Sequence, residues 1–158
     1  MSLNEIKINN YKDLTIKHIV LDYNGTLAKD GILQEGVKKL LPQLSELYTL
    51  HVITADTFGT VKAQVAEFDV KVKVLKSTDH TAEKAEYVKS LESSHCAAVG
   101  NGNNDEEMLK TAELGIALVG DEGCATSTLL ASDIVSHSIE DALELLLHTK
   151  RLIATLRK

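Results

Sequence analysis

The chain has 158 residues, 44% of them hydrophobic, which suffices for one buried core and not for two. Its 17 Lys and Arg against 23 Asp and Glu give a net charge of -6, whereas a general nucleic-acid binder is usually basic, so no nucleic-acid partner is expected. No apolar run is long enough to cross a bilayer, the opening MSLNEIKINNYKD has no leader-like apolar core, and Cys96 and Cys124 show no metal-ligand spacing, so the expectation is a cytoplasmic protein with free thiols.

The elements follow in a regular order. IKHIVLDY, an apolar β-branched run over 16–23, predicts the first strand. VKKLLPQLSELY (37–48) predicts an amphipathic helix interrupted near its start by Pro42. LHVITAD (50–56) is the second strand and TVKAQVAEF (60–68) the helix after it, while VKVKVL (70–75) alternates as a strand near a sheet edge should. TAEKAEYVKSL (81–91) predicts a helix with Thr81 as its N-cap and Lys84 in its first turn. HCAAVG (95–100) is a strand that runs into the loop NGNND (101–105), and EEMLKTA (106–112) is the helix that the loop opens onto. LGIALVG (114–120) and DIVS (133–136) are strands separated by a short helix, CATSTLLA (124–131). The last stretch, from Ser138, begins with Ser138 and Asp141 spaced as in a capping box, and leaves open whether it is one helix or two broken near His148. Its basic end, KRLIATLRK, reads as cations favoured at a helix C-terminus.

Strands alternating with helices predict a three-layer, Rossmann-like α/β fold, a parallel sheet with helices on both faces, in a single domain over 1–158. Ligands of such sheets bind beyond the carboxyl ends of the strands, near the reversal of strand order. The unusual polar residues stand there: Asp22 ends the first strand, Thr54 the second, and GNGNND the fourth.

A strand-end carboxylate such as Asp22 can attack phosphorus and form an aspartyl phosphate. It then needs cations to hold the phosphate oxygens. Asp22 and Asp105 suit a hard ion such as Mg²⁺. Thr54 offers a hydroxyl, Ala55 and its neighbours backbone N–H groups, and Lys84 a positive charge for Asp22 and the phosphate. Gly25 lets the backbone turn so that N–H groups after Asp22 face the anion. Each feature alone has an ordinary reading as a cap, a turn or a solvated lysine. Their order and placement together point to phosphoryl transfer.

This constellation resembles the haloacid dehalogenase superfamily over almost the whole chain: DYNGTLAKDG with Asp22, VITAD with Thr54, AEKAEYVKSL with Lys84, and VGNGNNDEEML with Asp105. It is similar to the phosphorylation domain of P-type ATPases, whose GDGxND loop GNGNND parallels, and to small stand-alone soluble relatives of those ATPases. The resemblance implies a Mg²⁺-dependent phosphohydrolase with Asp22 as nucleophile, Thr54, Lys84 and Asn24 in the catalytic set, and Asn104 among the phosphate-binding groups. The substrate it implies is a phosphorylated small molecule or macromolecule. The alternative is a catalytically degenerate phospho-acceptor or binding module of the same fold.

Two positions depart from the family pattern. An acid usually stands where Asn24 does, protonating the leaving group and activating water, and an amide does neither. General acid–base catalysis is worth about 10²–10⁴ in rate, so slow turnover and good leaving groups are expected. The Asn24 carbonyl can still ligate the metal. Asn101 likewise replaces a usual acid and offers the metal an uncharged oxygen, which makes Asp105 the expected main partner of Asp22. No cap domain fits between Asp22, Thr54 and Lys84, which leaves an open site or one closed by a second subunit, and a homo-oligomer is expected. Nucleotide-binding and membrane segments of a pump are missing from the sequence, so ion pumping is not expected. A receiver domain would carry an acidic pair after the first strand, and a dinucleotide-binding fold a GxGxxG, and neither is present.

Overall fold

The computed structural model describes residues 4–158, so the first three residues of the stretch read above for a leader lie outside the described residues. The chain opens with an antiparallel pair, β1 (Asn4–Ile6) and β2 (Leu14–Ile16), then enters β3 (His18–Asp22) and a two-stranded flap, β4 (Ala28–Lys29) and β5 (Ile32–Leu33). Helix α1 (Glu35–Ser45) precedes β6 (Thr49–Thr54), α2 (Thr60–Gln64) precedes β7 (Val70–Val74), and α3 (His80–Ser90) precedes β8 (Cys96–Gly100). Then come α4 (Glu106–Thr111), β9 (Leu114–Leu118), α5 (Thr126–Ala131) and β10 (Ile134–Ser136), and α6 (Ile139–Leu147) and α7 (Thr149–Leu156) follow.

Six strands form one parallel sheet in the order β10-β9-β8-β3-β6-β7. The chain builds outward from β3 in one direction and then, at β8, in the other, so the strand order reverses between β3 and β8. The crevice that ligands use in such sheets opens at that reversal. Two-residue alternation sorts the side chains onto two faces. Ile19, Leu21, Ala97, Val99, Ile116 and Leu118 join the core under α1, α6 and α7. Val20, Cys96, Ala98 and Ala117 join a second core with Val88, Met108 and Leu109 of α3 and α4. The three-layer α/β fold expected from the sequence is present, with β7 at the edge.

Several boundaries differ from the sequence reading, each for a local reason. IKHIVLDY is two elements: Ile16 pairs back onto Asn4, and only from His18 does the chain pair with β6 and β8. Pro42 lies well inside α1, where burial of Leu40, Leu41 and Leu44 offsets the hydrogen bond that proline cannot donate. Helix α2 stops at Gln64, because the chain then turns, Phe68 N–H donating to Val65 O at 3.0 Å. Asp79 rather than Thr81 caps α3, its carboxylate accepting from Ala82 N–H at 3.1 Å. Ser138 caps α6 by accepting from Asp141 N–H at 3.1 Å, and His148, at φ -111° and ψ 72°, breaks the closing stretch into two helices.

One core group titrates where stability can be read. His51 of β6 is buried, with His18 Nδ1 at 3.0 Å and the Tyr87 hydroxyl at 2.7 Å from its ring nitrogens. Burial first, then the nearby His18 and Lys71, lower its pKa from an ordinary 6.5 to about 4. The unfolded chain therefore binds this proton at a higher pH than the folded one, and the stability held by the neutral ring is present above pH 6.5 and lost as pH falls toward 4. Urea unfolding at pH 7 and near pH 4.5 is expected to show a larger loss of midpoint in the wild type than in His51→Gln.

Candidate active site

Asp22 ends β3 at the reversal, in register with Ile53 of β6 and one residue beyond the pairing of Leu21 with Val99 of β8. Its Oδ1 accepts from Lys84 Nζ at 3.1 Å, and its second oxygen accepts from no N–H group among the described residues. Lys84 comes from the first turns of α3 and is 3% exposed. Its three N–H groups are all used: Asp22 Oδ1, Asn104 Oδ1 at 2.9 Å and Asp105 Oδ1 at 2.8 Å. A buried ammonium is tolerable only when its charge and donors are met in this way. Burial works against the charge, but Asp22 and Asp105 outweigh it and hold the Lys84 pKa above the ordinary lysine value. Burial, and then the charge of Asp105, push the Asp22 carboxyl up to about 7 against the pull of Lys84. A further cation beside Asp22 would favour its ionised form.

Asp105 differs from the sequence expectation. It is completely buried, Oδ1 on Lys84 and Oδ2 accepting from Asn101 N–H and Gly102 N–H at 3.0 Å each. Its carboxylate folds back over the end of β8, closer to Gly100 than any Cβ there would permit, so glycine at 100 is required. With both oxygens hydrogen-bonded, Asp105 orients Lys84 and the 101–105 loop, and it is not among the residues that line the Asp22 cavity.

The cavity beside Asp22, of about 240 Å³, is lined by Asn24, Thr54, Ala55, Lys84, Asn101 and Asn104, together with His80 and Glu122. Three oxygens that accept from no N–H group among the described residues remain available to a cation: the second Asp22 oxygen, the Asn24 carbonyl and Asn101 Oδ1. Asn101 is oriented for this by its Nδ2, which donates to Gly123 O at 3.3 Å. A hard oxygen set of this kind fits Mg²⁺, which keeps several waters. On the anion side, Thr54 Oγ1 accepts from Asp56 N–H at 3.0 Å, so its own proton is free to donate. Asn104, accepting from Lys84 through Oδ1, keeps its amide N–H groups for an anion.

Gly25 also departs from expectation. At φ 76° it makes the turn after Asp22. Its N–H, however, donates to Ala28 O at 3.2 Å, while those of Thr26 and Leu27 donate to Tyr23 O. The N–H left without a backbone partner in this turn is that of Asn24, because the turn closes on itself. His80 and Glu122 were not found by sequence reasoning. His80 carried no signal beyond standing four residues before Lys84, and Glu122 lay in what reads as a surface turn.

The chain is similar to known proteins in sequence and in fold. A family model described as haloacid dehalogenase-like hydrolase matches residues 80–142, the stretch that holds Lys84 and the 101–105 loop. Over that stretch the chain is similar to haloacid dehalogenase-like hydrolases. Over 60 residues, 38% of its length, it is 60% identical to the uncharacterized protein MJ0073 of Methanocaldococcus jannaschii, of which it spans 64%. It is 49% identical over 39 residues to MJ0072 of the same organism, covering 25% of this chain and 89% of that protein. Among solved structures, 3-deoxy-D-manno-octulosonate 8-phosphate phosphatase from Moraxella catarrhalis, in complex with magnesium ion, phosphate ion and KDO, superposes with a TM-score of 0.68 at 21% identity, over 90% of this chain and 94% of that one. A zinc-transporting PIB-type ATPase superposes with a TM-score of 0.63 at 22% identity, over 77% of this chain and 20% of that one. These two likenesses show a shared fold. Among the described residues, only the β4–β5 flap and α1 stand between β3 and β6, and α2 and β7 are the sole elements between β6 and α3.

Removing the ammonium tests the electrostatics. Lys84→Met strands two buried carboxylates and is expected to cost about 3–5 kcal/mol in urea unfolding at pH 8. The loss is expected to shrink near pH 5, below the raised pKa of Asp22, where that carboxyl is protonated and no longer needs the cation.

Proposed function

We propose that the chain is a Mg²⁺-dependent phosphohydrolase that passes through an aspartyl phosphate on Asp22. The observation that carries this reading is the Asp22 carboxylate itself, one oxygen held by a buried lysine and the other open to a cavity at the sheet reversal. Asp22, the Asn24 carbonyl and Asn101 Oδ1 would hold the ion, which when bound neutralises phosphate oxygens. The Thr54 hydroxyl, the Ala55 and Asn24 N–H groups and the Asn104 amide bind the phosphoryl oxygens. The free Asp22 oxygen attacks phosphorus, the P–O bond to the leaving group breaks, and the leaving group departs with the electron pair. Water then attacks the phosphorus of the aspartyl phosphate, releasing inorganic phosphate and restoring the carboxylate.

Asn24 has no proton to give, so the leaving group must be stable as an anion: an aryl phosphate or an acyl phosphate. A second cavity, of about 420 Å³, shares Thr54 and Leu75 with the Asp22 cavity and is walled by Val61, Val72 and Val74. Its apolar wall suits an aryl group better than a sugar. The open site admits a phosphorylated small molecule or a phosphorylated macromolecule. The amide at 24 also supports a second reading, a binding or phospho-acceptor module that has lost turnover.

Phosphate release from an aryl phosphate in Mg²⁺ distinguishes the two readings. Weak turnover is expected for the wild type, none for Asp22→Asn, and about a hundredfold more for Asn24→Asp, the lower end of what general acid–base catalysis supplies. If the wild type and Asn24→Asp are both silent while Mg²⁺ binds, the binding reading replaces the catalytic one.

A further inference from the structure

The cation site described above is short of charge. Its three available oxygens include one formal carboxylate, Asp22, which already shares its charge with Lys84. Affinity of oxygen sites for hard divalent ions rises with the number of charged ligands. Asn101 contributes none.

A carboxylate stands beside it. After β9 the chain makes a tight turn over 120–123, closed by Gly123 N–H donating to Gly120 O at 2.9 Å, with Gly123 at φ 72°. Asp121 and Glu122 are the central residues. Asp121 is committed to Lys29 of the flap at 3.3 Å. Glu122 has no hydrogen bond or ion pair among the described residues, and it lines the cavity with Asp22, Asn24 and Asn101. Its Oε1 lies 2.6 Å from where a Cβ on Gly25 would stand, and Asn101 Nδ2 lies 3.2 Å from that same point. Any side chain at 25 would displace this carboxylate, which is a reason for glycine there besides its positive φ.

The turn is also tied to the Asn101 loop. Asn101 Nδ2 donates to Gly123 O at 3.3 Å, and Ala125 N–H donates to Asn101 O at 2.8 Å. The residue that lacks the charge thus anchors the turn that carries one.

We propose that Glu122 is the second carboxylate of the cation site, supplying from the 120–123 turn the negative charge that Asn101 does not carry. The inference rests on the cation site of the proposed function. Mn²⁺ binding, followed by the electron paramagnetic resonance of the free ion, tests both and needs no turnover. Four proteins are compared with the wild type: Glu122→Gln, Asn101→Asp, the double variant and Asp22→Asn, each checked for unchanged thermal unfolding. Glu122→Gln is expected to bind Mn²⁺ about 10–100-fold more weakly. Asn101→Asp is expected to bind more tightly, and the double variant to return to the wild-type affinity. Equal binding by the wild type and Glu122→Gln, or a double variant as weak as Glu122→Gln, overturns the assignment of Glu122. Absence of saturable binding by the wild type, or undiminished binding by Asp22→Asn, overturns the underlying cation site instead.

Discussion

The ammonium of Lys84 is the constraint on which the site depends. Asp22 ends β3 and Asp105 lies in the loop after the neighbouring β8, and both carboxylates are nearly or wholly out of water. Without a cation between them, at least one would have to stay protonated. Lys84 reaches both, and Asn104 takes its third N–H. The arrangement needs the strand reversal to bring β3 and β8 together, Asp79 to start α3 in the right place, and Gly100 to leave room for the Asp105 carboxylate. Fold and site are thus bound by one ion cluster, and its charge balance decides how much Asp22 is free to react.

That cluster divides the labour among residues that look alike in sequence. Asp22 has one oxygen that accepts from no N–H group among the described residues, whereas both oxygens of Asp105 are hydrogen-bonded. Asn101 and Asn104 are both amides of one loop, but hydrogen bonds point them in opposite senses. Asn101 gives its N–H to Gly123 and keeps an oxygen for a cation, whereas Asn104 gives its oxygen to Lys84 and keeps N–H groups for an anion. In the proposed function, the orientation of these two amides separates the cation side of the cavity from the phosphate side.

The sheet strands were legible because the edge strand writes a period of two into VKVKV, whereas burial on both faces writes solid apolar runs into HIVLD and CAAVG. Asp22, Thr54 and Lys84 were legible because polar residues at the ends of buried strands, or in the first turn of the next helix, contradict the local pattern. The β1–β2 pair was not, since three-residue strands carry too little periodicity to be told from a loop. Choosing between Asp79 and Thr81 as a cap was beyond pattern alone, because STDHT offers several capping side chains in succession. The commitment of Asp105 to backbone amides, the use of the Gly25 N–H within its own turn, and the approach of Glu122 to Gly25 are tertiary facts. No spacing in the chain encodes them.

Catalysis here turns on whether Asp22 itself becomes phosphorylated. The most direct measurement incubates the protein with Mg²⁺ and acetyl phosphate, quenches in acid and sequences the peptides by mass spectrometry. Asn24 should prolong the intermediate, so a phosphoryl group is expected on Asp22, removable by hydroxylamine and absent from Asp22→Asn. A phosphoryl group on another residue, or none on a protein that nonetheless releases phosphate, would contradict it.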